Sequence, residues 1–241
     1  MERSYYDSKT KLFYGGSEIG FVTISDFSAY PAVTVTDVGF PLTDSLTDIK
    51  ICDDFLFVTI KNDPGNGKLL VYSTASIAAT GEYVAPVLLQ SLTVGAGPDN
   101  ILVSKDCMTV VTANEGEGVY GDSTGLINPV GSVSILNGPF GADSSGIVNT
   151  LVSLNQWTEA ELLEKGVHLP LSLNAMIYWQ ALLGSDIDLS EAILNYTPDA
   201  SLEPEYLAFN GDESKIYVNL QENNALIVID VPTATATDIF A

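Results

Sequence analysis

The sequence holds a single histidine, His168, and only two cysteines, Cys52 and Cys107, among its 241 residues. One histidine excludes the multi-histidine sites of zinc enzymes. Two cysteines are too few for a cysteine zinc site or a disulfide scaffold. Both fall at expected strand ends, which leaves a disulfide between them open. Basic residues are scarce too: 9 Lys+Arg stand against 31 Asp+Glu, a formal net charge of -22. Such a surface repels phosphate backbones and anionic headgroups, so nucleic acid and acidic membrane surfaces are not expected partners. It attracts cations, above all hard ones that prefer oxygen ligands. No apolar run is long enough to span a bilayer. The opening "MERSYYDSKT" is charged with no apolar core behind it, so no signal peptide is expected there. P-loop and dinucleotide fingerprints are missing, which leaves nucleotide cofactors without a visible home.

What is present is a repeat. Residues 98–117, "PDNILVSKDCMTVVTANEGE", align without a gap on 204–223, "PEYLAFNGDESKIYVNLQEN". Pro98 falls on Pro204, Asp99 on Glu205 and Asp106 on Asp212. Apolar residues alternate on either side of a polar turn, the period of a strand with one buried face. A further strand follows each pair, "GSVSILNGP" at 131–139 and "NALIVIDVP" at 224–232. A third copy spans 48–75, and "GFVTISDF" at 20–27 has the shape of the last strand of a unit before it. Units of three or four short antiparallel strands at this spacing predict an all-β, β-propeller-like fold of about four blades, an incomplete ring, in one domain over 1–241. A β-sandwich with similar hairpins is the competing architecture.

Two insertions interrupt the repeat. "GVYGDSTGLINPV" at 118–130 reads as a loop. The stretch 150–201 reads as a helical insertion between blades, with helices around 158–195. Thr158 and Glu161 have capping-box spacing, and Gly166 and Gly184 are helix stops. Met176, Tyr178 and Trp179 are expected to pack this excursion onto the propeller. "GDSTG" at 121–125 matches G-x-S-x-G, but it lies in a loop and His168 is its one candidate base, so a serine-hydrolase triad is not expected. Asn195-Tyr196-Thr197 is a glycosylation sequon, weakened by Pro198.

Two longer strings carry a family resemblance. "GPDNILVSKDCMTVVTANEGEG" followed by "GSVSIL", and "LEPEYLAFNGDESKIYVNLQENNALIVIDV", resemble the two signatures of the choice-of-anchor I domain family. That family includes mesenchyme-specific cell-surface glycoproteins of biomineralising animals and bacterial relatives described loosely as esterase-like or phosphatase-like. The resemblance covers 45–140 and 200–235. It implies a secreted or surface-attached propeller with a link to calcium or mineral. Family members are usually longer and close a full ring, and the helical stretch is not part of the resembling pattern.

The repeat places acids at equivalent points of different blades. Asp99 and Glu205 precede the first strand of their units. Glu115, Glu117, Gln221, Glu222 and Asn223 follow the second strand, at the same rim. Asp99, Glu115, Glu117, Glu205, Glu222 and Asn223 are therefore the candidate metal ligands, an oxygen set suited to Ca²⁺. The same acids can instead be solvated loop residues. No lysine or arginine is visibly clustered beside them in sequence, so phosphate chemistry looks poorly supplied with cations. The reading is an extracellular or cell-surface module that binds divalent cations and acts by interaction, with a tie to mineral or matrix. A metal-dependent phosphatase or esterase-like hydrolase is one alternative. A scaffold subunit whose ring a protein partner completes is another.

Overall fold

Runs of alternating apolar residues joined by short polar turns become four antiparallel sheets, because each strand can bury only one face at a time. A computed structural model describes residues 3–17, 19–32, 34–78, 82–121, 124–141 and 145–241, with the backbone alone at 34–40 and 185. The first blade is β1 (Arg3–Asp7), β2 (Leu12–Ser17), β3 (Phe21–Asp26) and β4 (Thr34–Pro41). The second is β5 (Leu46–Cys52), β6 (Phe55–Asn62) and β7 (Gly65–Ser73), then a ribbon of β8 (Ser76–Ile77) and β9 (Tyr83–Val84), then β10 (Leu88–Ala96). The third is β11 (Pro98–Val103) and β12 (Thr109–Asn114), a ribbon of β13 (Val119–Gly121) and β14 (Gly125–Ile127), then β15 (Ser132–Asn137) and β16 (Val148–Ser153). Helices α1 (Glu159–Glu164), α2 (Leu173–Leu183) and α3 (Ser190–Leu194) follow. The fourth blade is β17 (Tyr206–Phe209), β18 (Lys215–Leu220), β19 (Ala225–Asp230) and β20 (Thr235–Phe240).

Strand order within each blade follows the chain, from the first strand inward at the axis to the fourth outside. The first strands pack in series, β1 on β5, β5 on β11 and β11 on β17. This is propeller topology, an arc of four blades. The cores lie between blades. Leu12, Tyr14, Val22 and Ile24 of the first meet Ile49, Leu56 and Val58 of the second. Phe57, Leu69 and Val71 meet Ile101, Val110 and Leu136 of the third. Val111, Val133 and Ile135 meet Ile216, Val218, Leu220 and Ile227 of the fourth. Each fully buried aliphatic side chain contributes about 1.5–3 kcal/mol, which a lone sheet would forfeit on this face.

The repeat holds down to single hydrogen bonds. In the third blade the Met108 N–H donates to Asp106 Oδ1 at 3.0 Å and the Thr109 N–H to Ser104 Oγ at 2.9 Å. At the matching fourth-blade positions Ser214 N–H donates to Asp212 Oδ1 at 3.1 Å and Lys215 N–H to Asn210 Oδ1 at 3.0 Å. Cys107 and Glu213 occupy the same place in this turn, both left-handed, at φ 59° and 60°. Inner strands also exchange side-chain bonds. Buried Asp48 at the start of β5 accepts from Asn100 Nδ2 and from the Ile101 N–H, while Asn100 Oδ1 accepts from the Leu207 N–H of β17. Cys52 and Cys107 form a disulfide across 55 positions, tying the end of β5 to the third-blade turn.

Several expectations need correction. The strand at 20–27 is not the tail of a unit but β3 of a whole blade. The 118–130 insertion is not only a loop, since it folds into the β13–β14 ribbon. Its "GDSTG" cannot be placed, because Asp122 and Ser123 lie outside the described residues. The helical insertion starts after Ser153 rather than at 150, because β16 still belongs to the third blade. Thr158 caps α1 with the full capping box to Glu161, as its spacing predicts. Met176 is buried, but against α3 and β14. Tyr178 and Trp179 are not buried against the propeller; they are 61% and 47% exposed, with their rings edge to face at 5.6 Å. α2 carries apolar residues around most of its circumference, and Met176 is its one buried residue.

Candidate metal centre

Propeller geometry brings loops from different blades to one rim. Glu115 follows β12 and is held by its N–H donating to the Gly97 carbonyl at 2.8 Å. Glu205 precedes β17, its N–H donating to the Asn219 carbonyl at 3.0 Å. Glu222 sits in the turn between β18 and β19. One carboxylate oxygen from each of the three lies within 4.8 Å of the others. Glu205 is buried, Glu115 half-buried and Glu222 exposed, so the group opens to solvent on the Glu222 side.

Burial and mutual repulsion disfavour the charged forms here. Burial pushes Glu115 up to about 7, helped by the charges of Asp99, Glu117, Glu203 and Glu222. Burial, a hydrogen bond to Glu222 and the charges of Glu222, Glu115 and Asp99 push Glu205 up to about 8. Glu203, also buried, goes up to about 7 through burial and the charges of Glu222 and Glu117. Near neutral pH the group therefore holds protons that an arriving cation would displace.

The other candidate ligands are placed differently. Asp99 pairs with Arg3 at 2.9 Å, and burial still outweighs that guanidinium to raise its pKa. Glu117 is exposed and 3.9 Å from Lys61 Nζ. Asn223 is not brought into the group. Its side chain is fully buried and clamps the chain: Nδ2 donates to the His168 and Ser201 carbonyls at 2.7 and 2.6 Å, and Oδ1 accepts from the Glu203 N–H at 3.0 Å. His168 joins the same clamp, its Nδ1–H donating to the Glu222 carbonyl at 2.9 Å. The excursion thus steadies the Glu222 turn. Asn223→Ala is expected to cost about 2 kcal/mol, because three backbone groups lose their partner. A lower urea midpoint with unchanged slope would register it.

Three residues at this rim escape sequence reading. Glu203 had a signal: it lies two before Glu205 across Pro204, and X-Pro favours extended chain. Arg3 and Lys61 had none, and they correct the expectation that no cation sits by the acids. Arg3 reaches across the channel from β1, with its guanidinium 5.3 Å from the Tyr206 ring and hydrogen-bonded to that hydroxyl. Lys61 lies 3.4 Å from Asp63.

The sequence profile of the choice-of-anchor I domain matches residues 2–241. The chain belongs to the choice-of-anchor I domain family. The match runs through the first blade and the helical excursion, so the choice-of-anchor I domain here includes the stretch that the signatures alone did not reach. It is a propeller-like module of a family associated with cell-surface anchoring. No helix among the described residues is long and apolar enough to cross a membrane. No curated protein matches it. Among solved structures, a putative 6-phosphogluconolactonase from Bacteroides uniformis aligns with a TM-score of 0.56 at 8% identity, over 98% of this chain and 52% of its own. One from Bacteroides fragilis gives 0.51 at 10% identity, over 100% and 56%. Kuenenia stuttgartiensis hydrazine synthase gives 0.51 at 9% identity, over 94% and 51%. These likenesses concern the fold, and the choice-of-anchor I chain spans about half the length of each.

Proposed function

We propose that this choice-of-anchor I domain is an extracellular or cell-surface module that binds a divalent cation, Ca²⁺ first, and works by interaction with mineral or matrix. The observation that carries the reading is the meeting of Glu115, Glu205 and Glu222 from two blades. Hard cations take six to eight oxygens, and water can complete a shell that opens to solvent. The Cys52–Cys107 bond supports an oxidising compartment. Exposed Asn195, at the end of α3, is open to glycosylation in that setting. A hydrolase of phosphate esters is less well supported, since both cations at the rim, Arg3 and Lys61, are already engaged with carboxylates.

Calorimetric titration of chelator-treated protein with Ca²⁺, beside thermal melts, tests this. Saturable binding is expected, and Ca²⁺ at a hundred times Kd raises Tm by about 5–10 °C. Glu222→Gln and Glu205→Gln abolish that rise while making the cation-free protein slightly more stable, because repulsion is relieved. Absence of saturable binding by the unaltered protein sinks the proposal.

A further inference from the structure

Residues 166–185, "GVHLPLSLNAMIYWQALLGS", contain no Asp, Glu, Lys or Arg, in a chain that is 17% charged and carries a net charge of -22. Most of them build α2 and the turn that leads into it. Ser172 caps the helix, its side chain accepting from the Ala175 N–H, and Gly184 ends it at φ 61°. Residues three and four apart share a side of a helix. Met176 marks the inner side, buried with Leu126 and Ala192. The Gln180 amide is fully engaged with the chain that follows. Its Nε2 donates to the Gly184 and Ile187 carbonyls at 2.8 and 2.9 Å, and its Oε1 accepts from the Leu189 N–H at 2.7 Å. The outer side keeps Ile177 and Ala181 on one flank, Tyr178 and Leu182 in the middle and Trp179 on the other. Ile177 is 49% and Leu182 59% exposed. Asn174, in the first turn, is the one polar side chain there.

We infer that this outer side of α2 docks on a zwitterionic lipid surface, lying flat among the headgroups. The inference does not rest on the cation site. Apolar residues exposed singly need no partner, but a contiguous stripe marks a contact. Three observations point to lipid. The first is charge. The stripe offers no carboxylate to a basic partner and no Lys or Arg to an acidic one, while a zwitterionic headgroup layer needs neither. Asp186, Asp188 and Glu191, all exposed, follow the helix and repel an anionic leaflet. The second is composition. Tyr and Trp have an apolar body and a polar tip, and they concentrate at the headgroup level of bilayers. Tyr178 and Trp179 sit side by side among aliphatic residues, as in helices that lie in the interface plane. The third is area. An 11-residue helix is about 16 Å long. A second copy set on its outer side meets it over a footprint of about 16 by 10 Å. That is far below the about 800 Å² per partner of a stable protein interface. A fluid lipid surface requires neither that area nor a matching shape.

Flotation of the 241-residue chain with phosphatidylcholine vesicles in the presence of EDTA tests this. The protein is expected to float with the vesicles, and equally at low and high salt, since no charge pair holds it. Phosphatidylserine in the vesicles weakens capture, because the chain is acidic. Trp179→Ser with Leu182→Ser lowers the affinity by about tenfold or more, as two apolar side chains no longer leave water. Leu151→Ser on β16, 56% exposed in the native chain, leaves it unchanged. With Trp157→Phe, Trp179 is the one tryptophan left; its emission shifts to the blue on binding and is quenched by brominated lipid. Near-UV circular dichroism checks that each variant is folded, and Tyr178→Ser replaces any serine variant that is not. No capture by vesicles overturns the inference. So does capture that requires Ca²⁺, that survives Trp179→Ser with Leu182→Ser, or that Leu151→Ser weakens as much. A lipid-free oligomer broken by the double variant also overturns it, and assigns the stripe to a second copy of the chain.

Discussion

Reduction of the Cys52–Cys107 bond, or Cys52→Ser with Cys107→Ser, is expected to lower the unfolding free energy by about 4 kcal/mol. The bond closes a loop across 55 positions, and cross-linking a loop of that length removes about this much chain entropy from the unfolded state. For a chain of this size the melting temperature falls by about 8–16 °C. The bond joins the last residue of β5 to the third-blade turn, so its loss also frees two blades to separate at that rim. The turn itself keeps its own bonds, Met108 to Asp106 and Thr109 to Ser104. The reduced protein is therefore expected to remain folded at 25 °C. Thermal melts with and without reductant measure the effect. Equal melting temperatures would show that blade packing alone holds this junction.

Cation affinity should rise steeply with pH, by about 100-fold from pH 6 to pH 8 if one net proton is displaced. Glu115 and Glu203 titrate near 7 and Glu205 near 8, all above the ordinary carboxylate value of 4.5. A cation must expel those protons below pH 8 and meets none above it. Titrations at pH 6, 7 and 8 read the slope, and a pH-independent affinity would remove these residues from the site. The same shifts fix the stability of the cation-free protein. Between pH 4.5 and 8 the folded state binds more protons than the unfolded state, so stability declines as pH rises through that window. Below 4.5 the carboxyls are protonated in both states and the contribution vanishes; above 8 the destabilisation is complete. Saturating Ca²⁺ should flatten this decline, and Glu205→Gln should reduce it.

Much of this architecture is written in local pattern. Ile216, Val218 and Leu220 alternate with Lys215, Tyr217 and Asn219, and that alternation is visible because the second and third strands of a blade bury one whole face. The fourth strands are harder to see. β16 and β20 each bury a single residue, because the outermost strand has water along one edge. The ribbons β8–β9 and β13–β14 have two or three residues per strand, too few for any period. At the rim, Glu115, Glu205 and Glu222 could be brought together on paper because equivalent positions of a repeat share a location. Asn223 turns away from the group for a related reason: repeat position gives where a residue is, not which way a turn aims its side chain. Arg3 and Lys61 make contacts between blades that no local pattern encodes.

Asn100 gives the arc a property that stacked repeats ordinarily lack. In a linear array each unit feels only its immediate neighbours, and melting can unzip from an end. Asn100 binds Asp48 on one side and the Leu207 backbone on the other, so one amide in the third blade couples the second blade directly to the fourth. Second-neighbour coupling of this kind works as a keystone does: three blades share one supporting piece.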